Sequence, residues 1–118
     1  MTKLEAIAQF ASIIDDELSG HTNFLEDDNY TTEVTEGHMK TVIACVAAID
    51  ALSNPYGPRF GRQSSVLTNS EILGELDYRR EYSKAYHDVW SDVDEELDPY
   101  ALDMQAIDMA LEVMKEAM

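Results

Sequence analysis

Four stretches of this chain repeat apolar residues every three or four positions, a period that suits packed helices and little else. The last stretch is the cleanest. Tyr100, Met104, Ile107, Leu111, Met114 and Met118 follow at alternating steps of four and three, which draws one seam along a helix, fit to pack on a bundle or on a second copy of the chain. Near the N-terminus Leu4, Ile7, Ala11, Ile14 and Leu18 repeat the pattern, with Phe10 beside them. Met39, Val42, Ile43, Val46, Ile49 and Leu52 do the same around "VIACVAAI", where Ala44, Cys45, Ala47 and Ala48 make the segment apolar almost all round. Such a segment reads as the central helix, with small residues that let its neighbours approach. Ile72, Leu73, Leu76, Tyr82, Tyr86, Val89 and Trp90 supply a fourth face, which turns aromatic.

The boundaries are marked by capping chemistry. Thr2 with Glu5, and Thr68 with Glu71, have the Thr-x-x-Glu spacing in which side chain and backbone exchange hydrogen bonds. Asp98 before Pro99 places an acid at the cap and proline at the first helical position. Gly20, after Ser19, is a stop signal for the first helix. "HTNFLEDDNYTT" reads as a polar turn, and the prolines and glycines of "SNPYGPRFGRQSSVLTN" demand a loop. The expectation is an all-α, compact bundle of about four main helices forming a single domain over residues 1–118, starting near Thr2, Thr32, Thr68 and Pro99. A short β-hairpin in the 55–66 connection is compatible with the same pattern.

The charge is less ordinary than the pattern. The chain carries 24 acidic and 8 basic residues, a formal net charge of -16. It comes in two blocks: residues 1–50 hold -8 and residues 88–118 hold -9, around a middle third at +1. Self-repulsion on this scale opposes compaction while favouring solubility. Asp108, Glu112 and Glu116 share one helical face at steps of four, where like charges destabilise an isolated helix by roughly 0.2–0.5 kcal/mol per pair. Lys115 offsets some of that. A solvent-facing helix gains more by alternating signs. The excess over what caps and helix dipoles use therefore points to a partner.

Catalytic and metal motifs are sparse. His21, His38 and His87 lack Glu-x-x-His or His-Glu-x-x-His spacing. "DVDEELDPYALD" begins like a calcium loop, but Leu97 stands where glycine is needed and Asp103 where a bidentate glutamate is usual. Glu33 and Glu36 give the first half of the magnesium-binding pattern of helical nucleotide pyrophosphohydrolases, and no second half follows at a suitable distance. Cys45, the lone cysteine, reads as a buried apolar residue in a reducing compartment. No metal, cofactor or catalytic residue is assigned. The N-terminus lacks a signal-peptide pattern and no apolar run spans a bilayer, so a cytoplasmic protein without a membrane partner is expected.

Arg59, Arg62, Arg79, Arg80 and Lys84 lie near tyrosines and a phenylalanine in the middle third. The overall field repels a phosphate backbone, so direct nucleic-acid binding is not expected. The arginines instead suit pairing with Glu75, Glu81 and the acidic blocks. In size, helicity and charge the chain resembles small acidic phage proteins that block restriction enzymes, CRISPR effectors or other DNA-binding machinery. That resemblance implies an inhibitor that mimics nucleic acid and occupies the basic groove of a nucleic-acid-binding protein. The candidate contact residues are Asp15, Asp16, Glu17, Glu26, Asp27, Asp28, Asp92, Asp94, Glu95, Glu96, Asp98, Asp108, Glu112 and Glu116. The alternative is an immunity- or adaptor-type protein that grips one basic partner through a mixed tyrosine and acidic patch, with Tyr30, Tyr86 and Tyr100 as anchors.

Overall fold

Two helix starts are fixed by reciprocal hydrogen bonds. Glu5 N–H donates to Thr2 Oγ1 and Thr2 N–H to Glu5 Oε1, both at 3.1 Å. Glu71 N–H and Thr68 Oγ1, with Thr68 N–H and Glu71 Oε1, repeat the arrangement at 3.2 Å. The bonds from the threonine backbone and hydroxyl hold both carboxyls below their ordinary value. These boxes start two of the four helices of the computed structural model, which describes residues 1–25, 32–53, 67–89 and 99–116. The helices are α1 (Lys3–Leu25), α2 (Thr32–Ser53), α3 (Asn69–Val89) and α4 (Pro99–Glu116). Over the described residues the chain is thus an all-α four-helix bundle. The 55–66 connection and Asp98 lie outside the described residues.

The first helix runs longer than its stop signal suggests. It passes through Ser19 and Gly20 and takes in His21–Leu25, residues expected in a turn. A glycine inside a helix costs only about 1 kcal/mol relative to alanine, and no proline is near to enforce the break.

The helices pack in ring order, with α4 returning to α1. Residues 26–31 reach at most about 25 Å, whereas α1 is about 35 Å long, so α1 and α2 run antiparallel. Arg80 pairs with Asp108 and Ser83 with Asp103, an opposed order that makes α3 and α4 antiparallel too.

The ring is a rhombus rather than a square. Cα atoms of α2 and α4 come within 8 Å across one diagonal, while those of α1 and α3 do not among the described residues. The inward residues explain this. Ala44, Cys45, Ala48 and Ala51 of α2 and Ala106 and Ala110 of α4 are all buried in the core. Small side chains allow close approach. Phe10, Ile13, Ile72 and Leu76 fill the longer diagonal.

The core faces are rotated from the apolar stripes. In α1 the inward residues are Ala6, Phe10 and Ile13, continued at the next step of four by Glu17, while Leu4 is 77 % and Leu18 42 % exposed. In α2 Val46 is 52 % exposed and the alanine face turns in. Each rotation is partial: Ile7 and Ile14 of α1 and Ile43 and Ile49 of α2 still pack against the core. On α4 the seam holds: Ile107, Leu111 and Met114 are buried within the bundle.

Enlarging the short diagonal tests this account. Ala48→Leu should lower unfolding free energy by about 1–3 kcal/mol through overpacking, read as a reduced urea midpoint. Val46→Leu, on the exposed side of the same helix, should leave the midpoint within about 0.5 kcal/mol.

Candidate binding site

The inward positions of α3 are Ile72, Leu76, Arg79 and Ser83, spaced four, three and four apart. This face is apolar in its first half and polar in its second. The inward row of α1 also ends in a charged residue, Glu17. On α2 and α4 the order reverses, with buried Thr41 and Asp103 in the N-terminal halves. The antiparallel packing therefore gathers the polar positions of all four helices at one end of the core.

Arg79 is the centre of that end, with 6 % of its surface exposed. Its Nη1 donates to Glu17 Oε1 at 2.8 Å and its Nη2 to Asp103 Oδ2 at 3.3 Å. The exposed Asp16 carboxylate lies 3.9 Å from Nη2. Ser83 Oγ donates to Asp103 Oδ2 at 3.1 Å and Gln9 Nε2 to Asp103 Oδ1 at 2.5 Å. Glu17 also meets His38 Nδ1. On α2, Thr41 Oγ1 bonds back to Gly37 O at 3.1 Å and approaches Glu75 at 3.5 Å. The arginine thus spans the long diagonal, tying α1 to α3 and α4. Arg79 Nε is buried without a hydrogen-bond partner among the described residues, and the ring of Tyr82 lies 4.6 Å from the guanidinium carbon.

The environment shifts two groups of the core, Asp103 and Cys45. Burial raises the Asp103 carboxyl above its ordinary value, against the opposing pull of Gln9, Arg79 and Ser83. Burial also pushes the Cys45 thiol up to about 12, so it is a poor nucleophile. Among the described residues no three or more His, Cys, Asp or Glu side chains gather as a metal site. Glu36, half of the magnesium-type pair, is exposed on α2.

The outer surface at this end is aromatic. Tyr78, Tyr82 and Tyr86 are 68 %, 40 % and 41 % exposed. Tyr82 and Tyr86 have ring centroids 4.7 Å apart, and Tyr86 stacks on Tyr100 at 5.2 Å with planes 20° apart. Burial and a hydrogen bond that the Tyr82 hydroxyl donates to Tyr86 push the Tyr82 phenol up to about 12.

The acids chosen from the sequence divide into four groups. Asp15, Asp16, Glu112 and Glu116 are exposed. Glu17 is turned inward to Arg79 and His38, with its side chain only 12 % exposed. Asp108 faces outward but is clasped by Arg80, whose Nε donates at 2.6 Å and Nη2 at 3.3 Å. Glu26, Asp27, Asp28, Asp92, Asp94, Glu95, Glu96 and Asp98 lie outside the described residues, as do Tyr30, Arg59 and Arg62. The arginines pair with Glu81 and the acidic blocks as expected, while Glu75 approaches Thr41 instead. Arg79 takes Glu17 and Asp103, and Arg80 takes Asp108 with Glu81 at 3.9 Å, because helix positions 79 and 80 point to different neighbours. Asp103, Ser83 and Gln9 were missed. Their signal was the polar continuation of each apolar row, which a search for apolar periodicity passes over.

Comparison with known protein families, with characterised proteins and with solved structures finds no match in any of the three.

Removing the arginine should be costly. Arg79→Met strands two carboxylates in the interior and should destabilise the fold by about 3–5 kcal/mol at neutral pH, measurable by urea unfolding. Asp103 gives a signed test. Its native pKa lies above the unfolded one, so its contribution to stability grows as pH falls through the native pKa and is complete below the unfolded value. Asp103→Asn abolishes that gain. Relative to the mutant, the wild type should therefore gain stability as the pH of the unfolding measurement is lowered from 7 to 4.

Proposed function

We propose that the protein is an inhibitory binding protein whose acidic surface occupies the basic groove of a nucleic-acid-binding protein. The observation that carries this reading is how the two arginines of α3 are used. Arg79 is buried against Glu17 and Asp103, and Arg80 is clasped to Asp108. Beyond Asp16, 3.9 Å from Arg79, and Asp108 itself, neither is paired with the exposed carboxylates of α1 and α4 among the described residues.

The outer face of α4 supports the same reading. Asp108, Glu112 and Glu116 lie opposite the buried residues Asp103, Ala110 and Met114, at a rise of about 6 Å per step. Asp15 projects from α1, which neighbours α4 in the ring. A rigid helix presenting carboxylates at this interval offers negative charge to lysines and arginines arranged for a phosphate backbone. Such a surface would steer association and lose affinity with salt. The reading assigns no catalytic residue and no cofactor. The target class is a basic DNA- or RNA-binding protein of host defence or DNA processing.

The test is displacement. The immobilised protein should retain a basic nucleic-acid-binding protein that leaves with rising salt and is competed off by duplex DNA. Glu112→Gln, Glu116→Gln and Asp15→Asn should each weaken retention by a factor of about two to five, consistent with ~0.4–1 kcal/mol per exposed charge, and the losses should accumulate. Retention that resists salt and ignores DNA would rule the reading out.

A further inference from the structure

The tyrosines of α3 do not form part of the acid-bearing face just described. Glu71, Glu75, Tyr78, Tyr82 and Tyr86 follow at steps of four, three, four and four, so they run along one flank of α3 over about 22 Å. Tyr100 of α4 extends the row by stacking on Tyr86. Three tyrosines exposed to this degree on one flank are an unusual cost for a soluble surface, since aromatic side chains contribute most when covered.

We infer that the Tyr78–Tyr82–Tyr86 flank, with Glu71 and Glu75 beside it, is a docking surface for an arginine-rich segment of a protein partner. Three observations converge on this occupant. First, the chain already places a guanidinium on this row: Arg79 lies 4.6 Å from the centroid of the Tyr82 ring, so the aromatic faces suit a planar cation. Second, the flank is electrostatically matched. Glu71 and Glu75 share the spacing of the row, and each has a carboxylate oxygen beyond the one that meets Thr68 or Thr41, so carboxylates that can pair with incoming guanidinium groups are in place. Third, the aromatic contacts preorganise the row. Tyr82, Tyr86 and Tyr100 fix one another through ring contacts, which lowers the ordering cost of binding. A nucleic acid could use the same rings for stacking, but a chain of net charge -16 repels its phosphates.

The inference deepens the proposed function and rests on its premise that the partner is basic. It adds a preference that bulk charge cannot produce. A purely electrostatic surface binds lysine and arginine peptides alike, whereas tyrosine faces and carboxylate pairs select the planar, weakly hydrated guanidinium.

The experiment titrates the full chain by calorimetry with a nonapeptide of arginine and, separately, a nonapeptide of lysine at equal ionic strength. The arginine peptide should bind at least fivefold more tightly. Tyr78→Leu and Tyr82→Leu should each erase most of that preference while leaving lysine-peptide affinity within twofold. Tyr78 is the more exposed of the two, so its variant should keep the wild-type melting curve, and a loss of preference there is not a loss of fold. Equal affinities, or a preference that survives both substitutions, would overturn the inference while leaving salt-dependent acidic binding intact. Absence of binding by either peptide would overturn it as well, whereas the groove-occupying reading fails separately, on retention that ignores duplex DNA.

Discussion

The bundle depends on one cation. Arg79 lets two carboxylates from different helices enter the core, and without it neither Glu17 nor Asp103 has an internal counter-charge of comparable reach. Isolated charges cannot be buried at tolerable cost. The arginine is suited to the place because its fork addresses two acids at once, with Nη1 on Glu17 and Nη2 on Asp103. A lysine would offer a point charge with no second arm. The pairing also selects one arrangement. A bundle with one helix reversed would carry a polar end into the alanine-rich half, separating the arginine from at least one acid. The network therefore adds specificity to a set of helices whose apolar faces alone are permissive.

The rhombic cross-section follows from where size and charge are placed. Alanines on α2 and α4 shorten one diagonal, and Phe10, Ile13, Leu76 and Arg79 occupy the other. The long diagonal is where a long side chain is needed, and an arginine supplies it. The flank of Tyr78, Tyr82 and Tyr86 lies outside this arrangement, and Arg79 touches it through Tyr82. Core and candidate surface thus share a residue. A ligand on the tyrosine flank would sit one ring away from the charge that holds α1, α3 and α4 together.

Much of the architecture was legible because helix signals are local. The capping threonines marked two helix starts through hydrogen bonds three residues apart, and Pro99 marked another. The C-terminal seam was legible because its apolar residues have no competing face. Two kinds of information were not local. The orientation of α1 turns on whether Glu17 finds a cation, and that cation sits 62 residues away on α3. The aliphatic stripe through Leu4 and Leu18 was right at Ile7, Phe10 and Ile14, which are buried or packed on the core, and wrong at its exposed edges Leu4, Ala11 and Leu18. The role of Asp103 was hidden in the same way. In sequence it is one of ten acids in a block of strong negative charge, and only packing separates the buried carboxylate from the solvated ones. The tyrosines of α3 were visible as an aromatic face, but their mutual stacking and exposure depend on α4 lying alongside.

The division of the acids sharpens the question of why the chain is so negative. Glu17 and Asp103 are structural, held by Arg79, while Glu5 and Glu71 serve caps. Asp108 is satisfied by Arg80. For Asp15, Glu112 and Glu116 the described contacts supply no ion pair of 4 Å or less, and their repulsion opposes the fold. Folding alone would favour neutral or basic residues at these positions, as the i to i+4 spacing of Asp108, Glu112 and Glu116 makes plain. Solubility needs far less than a charge of -16 on a chain of 118 residues. Acids that the interior requires and acids that the interior would dispense with are therefore different residues on different faces. The second set is the one that the basic partner surface of the proposed reading would engage.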